Sequence, residues 1–216
     1  MPTIPYKNAK GERVSGVTTI ISGNLGWNTR PLMYWSWNEG MEGRDYRQSS
    51  EKAADAGTHA HKLVEAHLRG QETPLSADLP QETLNLAETA FLNFLEWEKS
   101  VNFKALHTEI HLVSEAFQYG ATPDVIGEIN GKMALLDLKA GNGTYPDHLI
   151  QIAAYRAVWE ELHPDEPLDG GLYLLRIGKD DASFHWHWWA ALPEAWEAFK
   201  HCLELHKLQK ILKKKV

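Results

Sequence analysis

Asp124, Asp137 and Lys139 lie within one stretch, GATPDVIGEINGKMALLDLKAG, which runs from Gly120 to Gly141. Two β-favouring runs, Val125–Ile129 and Lys132–Leu138, are separated by Asn130-Gly131. That dipeptide closes tight hairpins, because both of its positions accept the positive φ of a two-residue turn. The reading places Asp124 at the mouth of the first strand. Asp137 and Lys139, two apart on the second, then point to the same face. Two carboxylates and one ammonium converging at the end of a hairpin are the parts of a divalent-metal site for phosphodiester hydrolysis. Hard cations such as Mg²⁺ take oxygen ligands, usually one or two carboxylates with water and substrate phosphate. Such an ion lowers the pKa of a bound water and offsets charge in the transition state. A lysine beside it can orient the water or neutralise developing charge, and the Leu138 carbonyl can add a ligand. Taken alone, the Asp-Leu-Lys triplet reads more readily as a surface ion pair on a hairpin. The surrounding segments reverse that preference.

Ala56–Glu65 has a helical pattern that sets His61 and Glu65 on one face at i,i+4. Imidazole is a good ligand for Mn²⁺ and acceptable near Mg²⁺, so His61 can complete a metal shell. A lone helical histidine is more often a surface or packing group, and this chain holds 11 of them, His59 and His67 close by. Gln151 and Tyr155 are likewise i,i+4, on a helix expected to start near Tyr145. They can touch a phosphate or a base near the metal. Equally, Ile152, Ala153, Tyr155 and Trp159 can simply pack that helix.

In order, Gly57-Thr58-x-x-His61, Glu109, Gly120-x-x-Pro123-Asp124, Asp137-x-Lys139 and Gln151-x-x-x-Tyr155 resemble the PD-(D/E)xK nucleases. Within them the pattern is similar to the RecB-like exonuclease branch, which includes phage exonucleases and the mitochondrial genome-maintenance exonuclease. Each motif is weak alone; their order and spacing over about residues 15–190 are more specific. The resemblance implies an α/β fold, a restriction-endonuclease-like mixed central sheet flanked by helices with an N-terminal helical elaboration. It implies that His61, Asp124 and Asp137 bind Mg²⁺ or Mn²⁺ together with the Leu138 carbonyl, and that Lys139 serves catalysis. Gln151 and Tyr155 match the motif that follows the core. Glu109 matches an acidic position before it, with Glu115 competing for the alignment, and Glu65 and Glu109 are the outer-shell candidates. The implied activity is a metal-dependent DNA exonuclease of phage or bacterial type, acting on single-stranded ends in recombination, repair or processing. A recombination or replication protein is a possible partner. Two other readings stand beside it, a structure-selective endonuclease and a non-catalytic DNA-binding adaptor; the intact Asp-x-Lys triplet counts against the second. Some relatives carry four cysteines for an iron–sulfur cluster. Cys202 is the single cysteine here, so neither that cluster nor an internal disulfide can form, and a packing role in a helix suits it.

Wider bounds come from composition. With 216 residues and 43% hydrophobic content, one nuclease domain over 1–216 is expected. It divides into a mostly helical part over 1–100 carrying His61, a catalytic sheet core over 101–190 and a C-terminal helix over 191–216. No run approaches the ~18 apolar residues of a membrane helix, and the amino terminus lacks the form of a signal peptide. A cytoplasmic setting is the expectation. The net charge of −7 argues against a protein that grips DNA over its whole surface. Its distribution softens this. Residues 1–52 hold seven Lys+Arg against five Asp+Glu, residues 191–216 six against three, and the segment between nine against 21. The cations at the two ends can contact phosphate. The lysines from Lys207 to Lys215 also suit the C-terminal end of a solvated helix.

These side chains need scaffolding. Tyr6–Val14 reads as a small hairpin around Lys10-Gly11, Thr18–Ile21 as a short element and Pro31–Tyr46 as an aromatic-rich helix. A longer helix, capped by Ser49 or Ser50 and ending at Gly70, carries His61. Gln81–Ser100 is helical with a Leu84, Ala87, Phe91, Phe94, Leu95 stripe. Phe103–Phe117 reads as one strand before the hairpin. A helix over about Pro146–Leu162, strands Leu172–Ile177 and Ser183–Trp189, and a helix Pro193–Lys213 follow, with loops over Gly70–Pro80 and His163–Gly171. Tyr34, Trp35 and Trp37 can stack unpaired bases, although packing is the stronger expectation for each. Phe184–Trp189 alternates as a half-buried strand; its i,i+2 pair His185 and His187 has no obvious acidic partner for a metal.

Overall fold

The computed structural model describes residues 4–73, 78–141, 143–181 and 183–216. In chain order the elements are β1 (Ser15–Gly16), α1 (Val17–Asn24), α2 (Thr29–Met41), α3 (Tyr46–Leu68), α4 (Gln81–Ser100), β2 (Phe103–Thr108), β3 (Leu112–Ser114), β4 (Tyr119–Ala121), β5 (Val125–Ile129), β6 (Lys132–Lys139), α5 (Pro146–Leu162), β7 (Gly171–Ile177), β8 (Phe184–Trp189) and α6 (Pro193–Leu212). Asn130 at φ 53° and Gly131 at φ 79° make the expected turn, and β5 and β6 pair antiparallel on either side of it. The following helix α5 carries the chain across to β7, which lies parallel to β6. The main sheet therefore runs β2-β5-β6-β7-β8 and is mixed. A second sheet, β1-β4-β3, is built from short strands.

Strand alternation divides the core into two layers. Leu135 and Ile126 join Val17, Ile20, Val158, Trp159, Leu172, Phe199 and Leu203, residues mostly from α1, α5 and α6. On the other face Val125, Leu136, Leu138, Leu175 and Ile177 pack with Ala60, Leu63, Phe94 and Trp97 of α3 and α4. A mixed sheet flanked by helices is the architecture that the sequence motifs led one to expect. The alternation also directs the site. Asp137 and Lys139 share the face of Leu135 and so look toward α5.

Several local expectations differ from the structure. Phe103–Phe117 is two strands, β2 and β3, in different sheets. The break falls at Glu109, whose φ of 50° turns the chain while its backbone N–H donates to the Asp124 carbonyl at 3.0 Å. The strand β4 was not anticipated, and the element expected over Thr18–Ile21 is the helix α1. The aromatic helix stops at Met41 rather than Tyr46, next to Gly43 at φ 74°. The cap of α3 is Asp45, which accepts from the Arg47 N–H at 2.9 Å. Ser49 instead donates to Glu39 at 2.6 Å. The strand β8 lies at the sheet edge and only its two ends tuck in. His185 and His187 are exposed, as are Trp186 and Trp188, so it is less buried than its alternation suggested. Of the Gly70–Pro80 loop, Pro74 lies outside the described residues. Among the described residues no helix is long and apolar enough to cross a membrane.

Candidate active site

Three separate elements converge at the end of the β5–β6 hairpin. His61 comes from the middle of α3, Asp124 immediately precedes β5, and Glu109 immediately follows β2. One ligand atom from each lies within 4.8 Å of the others. His61 Nδ1 is 3.5 Å from Asp124 Oδ1. The other oxygen, Oδ2, accepts the Leu138 backbone N–H at 2.6 Å, which fixes the carboxylate against β6. Glu109 belongs to this cluster because of the turn that its own backbone makes. Sequence reasoning had it only as an outer-shell candidate, since a single long strand would not have aimed it here.

Asp137 stands beside this cluster rather than in it. Its side chain is only 1% exposed, and Oδ2 lies 2.6 Å from Lys139 Nζ. The Lys139 ammonium also donates to Gln151 Oε1 at 2.9 Å, and Gln151 Nε2 donates to Tyr155 Oη at 2.6 Å. Asp137, Lys139, Gln151 and Tyr155 thus form one row. Strand period 2 sets its first two members and the helical i,i+4 repeat its last two.

Electrostatics tie the two groups together. Burial lowers His61, but the charge and hydrogen bond of Asp124 outweigh it and raise the imidazole above its usual value. Asp124 feels burial in the raising direction. His61 by charge and hydrogen bond, then Lys139 and the Leu138 N–H, hold it below the ordinary range. Glu109 is pushed up to about 7, first by burial and then by the Asp124 charge. Burial takes Asp137 up to about 6 against the pull of Lys139 and with the push of Asp124. Burial disfavours the Lys139 ammonium, yet Asp137 and Asp124 raise it overall. Asp137 and Lys139 are therefore both charged at neutral pH. Tyr155, raised well above its usual value by burial and by Asp137, stays a phenol.

A cleft of about 600 Å³ opens over the site, and Gly57, Thr58, His61, Glu65, Glu109 and Lys139 are in its wall. Glu65 is shared with Arg69 at 2.7 Å. A second cleft of about 350 Å³ lies on the other side of Lys139, between Trp27, Asn28, Asp147, His148 and Gln151. Neither Trp27 nor Asp147 was singled out from sequence, where nothing local marks them. Tyr34, Trp35 and Trp37, expected chiefly to pack, are 66%, 36% and 59% exposed. Glu39 is the buried residue of α2, held by Arg44 and Ser49, so the helix docks through a polar contact and leaves its rings outside. Tyr34 stacks on Trp37 with centroids 6.1 Å apart, and Trp35 meets Tyr46 edge-on at 6.4 Å.

An imidazole with two carboxylates is a donor set that suits Mn²⁺ or Mg²⁺. Burial and then the Asp124 charge drive Glu109 to about 7, and a divalent cation would offset both. Both observations fit the metal implied by the motifs. No protein-family model matches the chain, and no curated protein does. Solved structures are similar to it. The structure of LHK-Exo in complex with dAMP is 14% identical, with 76% of this chain and 90% of that chain covered and a TM-score of 0.40. A second structure of that protein, described as an alkaline exonuclease from Laribacter hongkongensis, is 15% identical over the same shares with a TM-score of 0.37. The structure of SSO0001 is 16% identical and covers 57% of this chain and 55% of that one, with a TM-score of 0.34. The structural neighbours of this chain thus include an alkaline exonuclease.

Proposed function

We propose that the protein is a Mg²⁺- or Mn²⁺-dependent DNA exonuclease of the PD-(D/E)xK type that acts from single-stranded ends. The observation that carries the reading is the meeting of His61, Glu109 and Asp124 within 4.8 Å beside a lysine held between Asp137 and Gln151. His61, Glu109 and Asp124 would hold the cation, with Asp137 and the Leu138 carbonyl as the remaining donors. When bound, the cation supplies Lewis acidity toward the scissile phosphate and lowers the pKa of water. The residues do the rest. One N–H donor of Lys139 is directed at Gln151 and the ammonium is ion-paired with Asp137, which leaves donor capacity for a water or a phosphate oxygen. The ammonium thereby fixes the nucleophile and offsets charge as the water oxygen bonds phosphorus and the P–O ester bond breaks. Gln151 positions Lys139, and Tyr155 positions Gln151. The rings of Tyr34, Trp35 and Trp37, with Trp27 nearer the site, offer stacking faces for unpaired bases.

The test uses purified protein with end-labelled linear and closed circular single-stranded DNA, with and without Mn²⁺. Mononucleotide release from the linear strand alone, dependent on the ion, is the expected result. Cleavage of the circle identifies an endonuclease. No cleavage of either, together with no calorimetric Mn²⁺ binding, identifies a DNA-binding adaptor.

A further inference from the structure

Another cleft lies away from the site, between the N-terminal turn and α6, with Arg13, Lys207 and Lys210 against the single carboxylate Glu12 in its wall. Ser15 Oγ is 2.9 Å from His206 Nε2 and accepts from Lys210 Nζ at 2.9 Å. His206 is 8% exposed, and its Nδ1 is buried with no hydrogen-bond partner. Burial, then Lys210 and Lys213, lower its pKa, so the imidazole stays neutral and leaves the positive charge to its neighbours. Elsewhere on the helices lysines find a carboxylate three residues back, as in Lys99–Glu96, Lys200–Glu197 and Lys207–Glu204. Lys210 has no such partner, and neither does Arg13 among the described residues. The Ser15 hydroxyl pins the Lys210 ammonium to the wall of the cleft instead. The helix dipole favours lysines in the last turn of α6, but it gives no reason for Arg13, from a different element, to line the same cleft.

Neighbouring clefts share wall residues. Lys139 lines both the catalytic cleft and the one beside it. Thr18 lines that second cleft and a third of about 380 Å³. Arg13, Val14, Ser15 and Lys210 line the third and a fourth of about 210 Å³. A series of adjoining clefts thus runs from Lys139 to the two unpaired cations. Its far end draws on the chain segments with net positive charge, whereas its near end lies in the acidic one.

We propose that Arg13 and Lys210, with the Ser15 hydroxyl holding Lys210 in place, form a second phosphodiester-binding subsite that takes the backbone of the substrate strand away from the bond being cut. Arg13 brings five N–H donors, and two N–H donors of Lys210 remain beyond the one given to Ser15. The subsite rests on the nuclease reading for its occupant and deepens it, since the site would then favour long strands over short ones. The test compares parent with the Arg13→Ala/Lys210→Ala double variant on a thymidine dinucleotide and on a long oligothymidylate, and measures binding of the labelled long strand in EDTA across a salt series. The expected result is a KM for the long strand raised about tenfold with kcat and dinucleotide cleavage unchanged. The plot of log affinity against log salt should flatten by about 1.4, at ~0.7 per phosphate contact on a single strand. Arg13→Lys/Lys210→Arg, which keeps both charges, should restore the slope. An unchanged slope, or equal losses on long and short substrates, would overturn the subsite. Binding in EDTA needs no catalysis. A parent that binds through these cations yet cuts nothing overturns the nuclease reading and leaves the anion site standing.

Discussion

Under the proposed mechanism the chemistry turns on Lys139, and its neighbours differ in what their loss should do. Lys139→Ala should then cost about 10²–10³ in rate, as for loss of a single donor to transition-state charge. Tyr155→Phe removes only the hydroxyl that orients Gln151. It should leave the fold intact and lower kcat by less than Lys139→Ala, with KM unmoved. Single-turnover digestion of a labelled strand measures both, and equal losses would mean that Tyr155 contacts the substrate itself. Glu109 permits a test that needs no turnover. It is packed near His61, Glu65, Asp124 and Arg69, and is raised from 4.5 to about 7. A carboxyl raised in the folded state contributes stability that is complete below its unfolded pKa and is lost as pH rises through the folded one. Metal-free parent should therefore lose stability between about pH 5 and 8 relative to Glu109→Gln. Histidines lowered by burial, such as His148 at about 4, affect both proteins alike and cancel. Melting temperatures in EDTA across that range check this, and a constant difference between the two proteins would show that the Glu109 carboxyl is not shifted.

Elements explain why some of this was legible in the sequence and some was not. The β5–β6 hairpin is announced locally, because Asn130-Gly131 supplies the positive φ that the turn needs and the flanking runs alternate. The Asp137–Lys139 pair follows from strand period, and Gln151–Tyr155 from helix period. What no local pattern gave was the change of sheet at Glu109. That turn is stabilised by Asp124, 15 positions along the chain, and it converts an outer candidate into a member of the cluster. The aromatic helix misled for a similar reason. Tryptophan suggests a core, but burial depends on what packs opposite, and α2 docks through Glu39 instead. Gly127 shows how finely β2 is placed. It pairs with Ala105 beside a register shift, and an added Cβ would overlap the Lys104 carbonyl oxygen. Backbone cannot yield as a side-chain tip can, so Gly127→Ala should cost about 1–3 kcal/mol. Because β2 leads into Glu109, the variant should also weaken Mn²⁺ binding. Denaturant unfolding and calorimetry measure the two effects. Lost stability with undiminished ion affinity would separate the strand from the site.

At the scale of the molecule, charge is segregated. The acidic middle of the chain holds the cluster, while net positive charge falls at the two ends of the sequence, and the exposed rings of α2 lie in the first of them. Such a division suits a protein that must admit a cation to its centre and hold a polyanion along its edge. The rings and the cations should leave different signatures. Stacking on Tyr34 and Trp37 is worth about 1–3 kcal/mol per base and neutralises no phosphate, so it carries no counterion release. Tyr34→Ala/Trp37→Ala should weaken binding of single-stranded oligothymidylate in EDTA about tenfold or more, leave duplex binding alone, and keep the salt slope of the parent. Both side chains are exposed, at 66% and 59%, so the melting temperature should hold and a loss of binding cannot be ascribed to unfolding. Fluorescence anisotropy at several salt concentrations reads affinity and slope together. Unchanged affinity would show that the stacked pair covers no nucleotide. A flattened slope would show that the substitution had displaced a nearby cation such as Arg47, which lies over the Tyr46 ring at 5.7 Å, and that charge rather than stacking holds the strand on α2.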